Sequence, residues 1–137
     1  MKSRVIIPFI FLLSGCSTTT QIDQTVVSKL SGAWDEEPGM SCSTNFHTID
    51  IKESNIYIEY VEKGYISEND ARKILTYKIL SQSNDSIRVL LENETRLDND
   101  NKQVIWHLKS INNDEYCWSR DDWGEGSCTP SRFRCKT

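Results

Sequence analysis

Apolar residues in this chain recur at every second position, in short runs separated by turn formers, and that pattern dictates antiparallel β structure. Successive side chains of a strand point to opposite faces, so a period of two buries one face and solvates the other. In a first run, 29–35, Leu30, Gly32 and Trp34 share a face and Ala33 lies opposite. The next runs carry His47, Ile49 and Ile51 on one face of 46–52, then Ile56, Ile58 and Tyr60 on one face of 56–62. Leu75, Tyr77 and Ile79 alternate in 74–80, and Ile87, Val89 and Leu91 in 87–94. Val104, Trp106 and Leu108 point inward from 104–109, and runs at 115–120 and 131–135 complete the series. Pro38-Gly39, Glu53-Ser54-Asn55, Asn84-Asp85, 98–102 and Asn112-Asn113-Asp114 supply the turns between them. Only 67–73 departs from the pattern, since Ser67 with Asp70 can cap one short helix there.

About eight short strands in series predict an all-β fold, an up-and-down antiparallel barrel, because closure removes the edges an open meander exposes. A two-sheet β-sandwich is the alternative. Four cysteines fall in or beside these runs: Cys42, Cys117, Cys128 and Cys135. An even number in an exported chain reads as two disulfides, with three connectivities open. Cys42 must reach across the fold, since its candidate partners all lie near the C-terminus. No Cys-x-x-Cys pair is present, and His47 and His107 have no ligand spacing to the cysteines, so neither a metal nor a cofactor is expected.

Export itself is read from the first fifteen residues. Lys2 and Arg4 make a positive start, 5–13 is an apolar run interrupted only by Pro8, and Ser14 and Gly15 precede Cys16. A run of about nine apolar residues engages an export machinery but falls short of the about 20 needed to span a membrane. Residues 1–15 are thus a signal peptide, 16–25 a polar, flexible tether, and 26–137 a disulfide-stapled barrel domain. The net charge of −4 becomes more negative once Lys2 and Arg4 are removed, which argues against nucleic acid as a partner. Arg132, Arg134 and Lys136 form a small basic cluster near the end of the chain.

Leu13-Ser14-Gly15-Cys16 resembles the lipobox of bacterial lipoproteins. The resemblance implies a diacylglyceryl thioether on Cys16, cleavage before it and acylation (palmitate) of the new amino terminus. Two or more acyl chains make membrane attachment stable. Ser17 stands where an Asp would, in that family, favour the inner membrane, so the resemblance implies an outer-membrane anchor with the domain facing the periplasm. Gly32-x-Trp34 resembles the opening strand of calycins, the lipocalin and avidin-like barrels. There the Trp closes one end of the barrel and an Arg from the last strand packs across its ring, a role that falls here to Arg132 or Arg134. An eight-stranded interior holds a small apolar ligand or is filled by its own side chains. The residues that would line it are Trp34, Ile49, Ile58, Tyr60, Val89, Leu91, Trp106 and Leu108.

The segment 116–126, YCWSRDDWGEG, concentrates Tyr116, Trp118, Arg120, Asp121, Asp122 and Trp123 beside three cysteines. Aromatic and Arg side chains on a braced loop suit a protein or sugar contact. No Gly-x-Ser-x-Gly, His-Glu-x-x-His or Gly-rich phosphate loop is present, and Asp98-x-Asp100 lacks the Gly and Glu of a calcium loop. The chain reads as a non-catalytic binding module whose partner is another envelope or secreted protein, or a small apolar ligand inside the barrel. Small disulfide-bonded barrel lipoproteins that inhibit lysozyme are a family-level precedent for the first class, but their Ser-Gly-x-x-Tyr-type stretch is missing from this chain.

Overall fold

A computed structural model describes residues 21–62 and 71–136. The described residues form one helix, α1 (Gln24–Leu30), followed by eight strands: β1 (Gly32–Asp35), β2 (Asn45–Lys52), β3 (Asn55–Glu62), β4 (Ala71–Gln82), β5 (Ser86–Leu91), β6 (Trp106–Asn112), β7 (Glu115–Arg120) and β8 (Arg132–Arg134). Each strand pairs antiparallel with its sequence neighbour, and β8 closes on β1. The architecture is the all-β, eight-stranded up-and-down barrel that the alternation predicts, and closure excludes the two-sheet sandwich.

Register follows the apolar faces. Ile49 opposes Ile58, Ile58 opposes Leu75, and Ile79 opposes Val89, so the inward sets of adjacent strands meet in layers. The resulting core contains Trp34, Ile49, Ile56, Ile58, Tyr77, Ile87, Val89, Leu108 and Tyr116, joined by Val26 and Leu30 of α1.

The structure differs from the sequence pattern at four places. The first strand starts at Gly32 and not at residue 29, because Lys29 and Leu30 belong to α1. Asp23 caps that helix, its carboxylate accepting from the Thr25 amide at 2.8 Å, and places Val26 and Leu30 one turn apart on the buried face. The helix also takes residues 24 and 25 from the span read as tether. The short helix read at 67–73 does not extend through 71–73, which are the start of β4; its remainder lies outside the described residues. Finally, β6 begins at Trp106, so Val104 is buried from a loop and not from a strand.

The helix closes one end of the barrel, the base, where the β2–β3, β4–β5 and β6–β7 turns lie. The amide of Asp23 donates to Gln82 Oε1, Gln82 Nε2 donates to the Gln21 carbonyl, and Lys29 Nζ to the Asn84 carbonyl. Arg134 locks the closure. Its guanidinium lies 4.2 Å from the centre of the Trp34 ring and donates to the carbonyls of Lys29, Ser31 and Asn113 at 2.7–2.8 Å. Carbonyls left free at a helix C-terminus are thereby satisfied by a cation, which also suits the helix dipole. Gly32 makes the approach feasible: its φ is +128°, and a Cβ there would sit 2.6 Å from Arg134 Nη1. Of the two arginines considered for packing on Trp34, Arg134 makes the contact, and Arg132 points elsewhere.

Two disulfides tie the loops down, Cys42–Cys135 and Cys117–Cys128. The first folds the β1–β2 connection back along the end of β8, where Lys136 N also donates to the Met40 carbonyl at 2.9 Å. The second holds the β7–β8 connection against the outer side of β7.

Candidate functional site at the barrel mouth

The end opposite α1 carries the β5–β6 and β7–β8 loops, and it gathers most of the charged and aromatic residues singled out in the sequence. Trp106, at the start of β6, is the centre. Arg96 lies 5.0 Å from its ring on one side and Arg120 5.6 Å away on another, and Arg120 also lies 5.7 Å from Trp123. Trp123 meets Trp106 edge-on at 6.0 Å. Each guanidinium is held by its own carboxylate: Glu94 takes Arg96 in two bonds of 2.7 and 2.8 Å, and Asp122 takes Arg120 in the same fashion. Glu94 also accepts from the indole Nε1 of Trp106 at 3.1 Å. These donors, Arg96 first, pull the Glu94 carboxyl down to about 2. The result is a cluster of two Arg and two Trp side chains in which each guanidinium is held by a carboxylate.

Below the rim, Trp118 stacks on Tyr77 at 5.2 Å and meets Trp106 edge-on. On the other side of the mouth His47 is hydrogen-bonded to the Tyr116 hydroxyl and lies 5.3 Å from the Tyr60 ring. Burial, and secondarily the Arg132 charge, lowers the His47 pKa to about 4, so His47 is neutral at pH 7. The same burial raises Tyr60 and Tyr116 above the usual phenol range.

This predicts a pH dependence. His47 takes a proton near 6.5 when unfolded and only near 4 when folded. The unfolded state therefore binds more protons between those values, and stability is full above 6.5 and falls as the pH drops toward 4. At about 1.4 kcal/mol per unit, the loss across the window is on the order of 3 kcal/mol. Urea denaturation at pH 7 and pH 4 measures it; equal stabilities would contradict the buried, neutral imidazole.

The segment 116–126 is divided by the structure. Tyr116 is fully buried and edge-on to Trp34 at 4.8 Å, so it belongs to the core and not to a binding surface. Trp118 is half-buried inside the mouth, while Arg120, Asp122 and Trp123 are brought together at its rim. Asp121 turns outward to Arg88 and His107, which hold its carboxyl below the usual range. Of the residues expected to line a cavity, Trp34, Ile49, Ile58, Val89 and Leu108 are buried against one another, and Tyr60, Leu91 and Trp106 are half-buried. The lower barrel is thus occupied by its own side chains. A groove of about 730 Å³ lies at the base beside α1, with Ile22, Val27, Ile51 and Ile79 among its lining residues.

Glu94 and Arg96 were not legible as site residues. Their signal is two opposite charges two positions apart in a loop that leads into an aromatic strand, a pattern common on solvated turns. Among the described residues one set of metal-ligating types comes together, Asp35, Cys42 and Cys135, but the two sulfurs are bonded to each other. Comparison with protein-family models, with curated proteins and with solved structures finds no match.

Proposed function

We propose that this protein is a non-catalytic binding module of the bacterial envelope, fixed by lipid on Cys16 to the outer membrane and contacting another envelope or secreted protein through the barrel mouth. The observation that carries the reading is the cluster of Arg96, Trp106, Arg120 and Trp123. Trp and Arg side chains dominate binding hot spots, and anchors already held in place lose less entropy on binding. Orientation agrees: Gln21, only five positions after Cys16, is hydrogen-bonded at the base, so a lipid on Cys16 leaves the mouth turned away from the membrane.

The test uses the full chain in cells, with a photo-crosslinking amino acid at Glu36 or Glu125 around the mouth and at Asn84 on the base. Discrete crosslinked species of higher mass are expected from the mouth positions and not from Asn84. No adducts, or equal adducts from all three, would contradict the reading. Cys16→Ala is expected to leave a soluble or unprocessed protein; a mature, membrane-bound form would contradict the anchor.

The basal groove favours a second reading, binding of a small apolar molecule beside Ile22, Val27, Ile51 and Ile79. Pockets of about 300–1,000 Å³ suit such ligands. Native mass spectrometry of the mature protein separates the two, since a stoichiometric adduct of small mass belongs only to the second.

A further inference from the structure

Six arginines lie among the described residues, and each has a hydrogen-bond or ion-pair partner. Arg134 is bonded to three carbonyls at the base, Arg96 and Arg120 are each held by two bonds from a carboxylate, Arg88 pairs with Asp121, and Arg72 with Glu59 at 2.8 Å. Arg132 differs in how it is held: beside a long contact of 3.5 Å from Nη1 to the Ser131 carbonyl, its partner is a largely solvated carboxylate. It opposes Tyr116 across the β7–β8 pair, which turns its side chain into the barrel, and its charge is felt by His47, Tyr60 and Tyr116. Its carboxylate contact is Glu36 at 3.2 Å, and the Glu36 side chain is 73% exposed while that of Arg132 is 29% exposed.

An inward-facing guanidinium beside a weakly held, solvated carboxylate has an unusual balance. The cation is partly stripped of water, so it gains most from a desolvated anion. Glu36 is too exposed to supply one, and an ion pair with so solvated a partner contributes little. Among the neighbours His47 is neutral at pH 7 and Tyr60 and Tyr116 keep their protons, while the buried Asp35 carboxylate is near enough for its charge to reach His47. The hydroxyl of Tyr60 and the guanidinium of Arg132 are hydrogen-bond donors, the chemistry a carboxylate requires.

We propose that Arg132 is the recognition residue for an acidic side chain of the protein partner, and that Glu36 occupies the place of that carboxylate until the partner displaces it. This rests on the reading of the mouth as a protein-binding site and gives that site its ligand chemistry. Across the mouth, Trp106, Trp118 and Tyr77 supply apolar walls for the rest of the inserted segment.

The experiment titrates the mature lipoprotein in detergent micelles with acetyl-Phe-Glu-amide and, separately, with acetyl-Phe-Gln-amide, followed by tryptophan fluorescence. The Glu peptide is expected to bind at least tenfold more tightly than the Gln peptide. Glu36→Gln removes the internal competitor and is expected to tighten the Glu peptide about threefold to tenfold, while Arg132→Gln brings the two peptides to equal affinity. Because Arg132→Gln also removes a charge near His47, Arg132→Lys is measured beside it: a cation without the planar fork restores part of the discrimination only if charge recognition is the cause. Equal binding of both peptides to the unaltered protein, or binding of neither, overturns the proposal, as does a Glu36→Gln variant that binds the Glu peptide no better. Crosslinks from Glu125 that persist undiminished in Arg132→Gln would leave the mouth as the binding site and remove the carboxylate from it, so the two failures are distinguishable.

Discussion

Replacing Cys42 and Cys135 together by alanine is expected to destabilise the domain more than any other pair of changes on its surface. The bridge joins residues 93 positions apart, so it constrains nearly the whole described domain in the unfolded state. In the chain-entropy model a loop of that size contributes about 4–5 kcal/mol, against about 3 kcal/mol for a short one such as Cys117–Cys128, whose separation is 11. One term works the other way. Cys117 is buried, so its replacement also removes packing worth on the order of 1 kcal/mol, which narrows the difference without closing it. For a domain whose total stability is on the order of 5–15 kcal/mol, loss of the long bridge leaves little margin. Urea denaturation of the two double variants at pH 7 measures both; equal losses would contradict the assignment of the stabilisation to loop length.

Trp34→Ala is the single substitution with the largest expected cost. The ring is fully buried, its Nε1 donates to the Leu30 carbonyl at 3.0 Å, Tyr116 meets it edge-on, and Arg134 covers it. Truncation empties the junction of helix, barrel and last strand at once, and buried Trp→Ala changes cost about 3–5 kcal/mol. It also strips the apolar cover from a guanidinium whose bonds to Lys29 and Ser31 hold α1 in place. Trp34→Phe keeps most of the packing and loses the indole bond, so it is expected to cost about 1–2 kcal/mol. Denaturation curves for the pair distinguish the account from one in which Trp34 is merely a large core residue. In the latter case the α1 amides would exchange hydrogen at the unaltered rate in Trp34→Ala, whereas here they are expected to open together with the base.

The fold was legible because its information is local and repetitive. Alternation in β2, β3, β5 and β7 needed only the sequence, and β7 was read to its terminal residues. What escaped notice was where a polar stretch hides a helix. QTVVSKL carries two β-branched valines and only Val26 and Leu30 on its buried face, too few for a helical period to stand out. The start of β4 was misread for a related reason: capping residues at 67–70 precede Ala71–Lys73, and only pairing with β3 decides that these are extended. The pairing of cysteines was equally closed to inspection, since connectivity depends on which loops fold back. Trp118 and Trp123 were found as a cluster, but whether each faces the core, the mouth or solvent follows from strand register and loop path. Arg132 and Arg134 alternate on one short strand with identical chemistry; that one secures the base and the other faces the mouth comes from their positions along the barrel axis.

The mouth is the binding site only if the cluster at its rim contributes the binding energy. Trp123→Ala removes the outermost indole while leaving Trp106 between Arg96 and Arg120, and its fold is checked by an unchanged denaturation midpoint. With the crosslinker at Glu36, on the far side of the mouth, the yield of adduct in cells is measured with and without that indole. The yield is expected to fall at least tenfold, since loss of a binding hot spot costs about 2 kcal/mol or more. An undiminished yield from a folded Trp123→Ala protein would contradict the mouth as the site through which this barrel holds its partner.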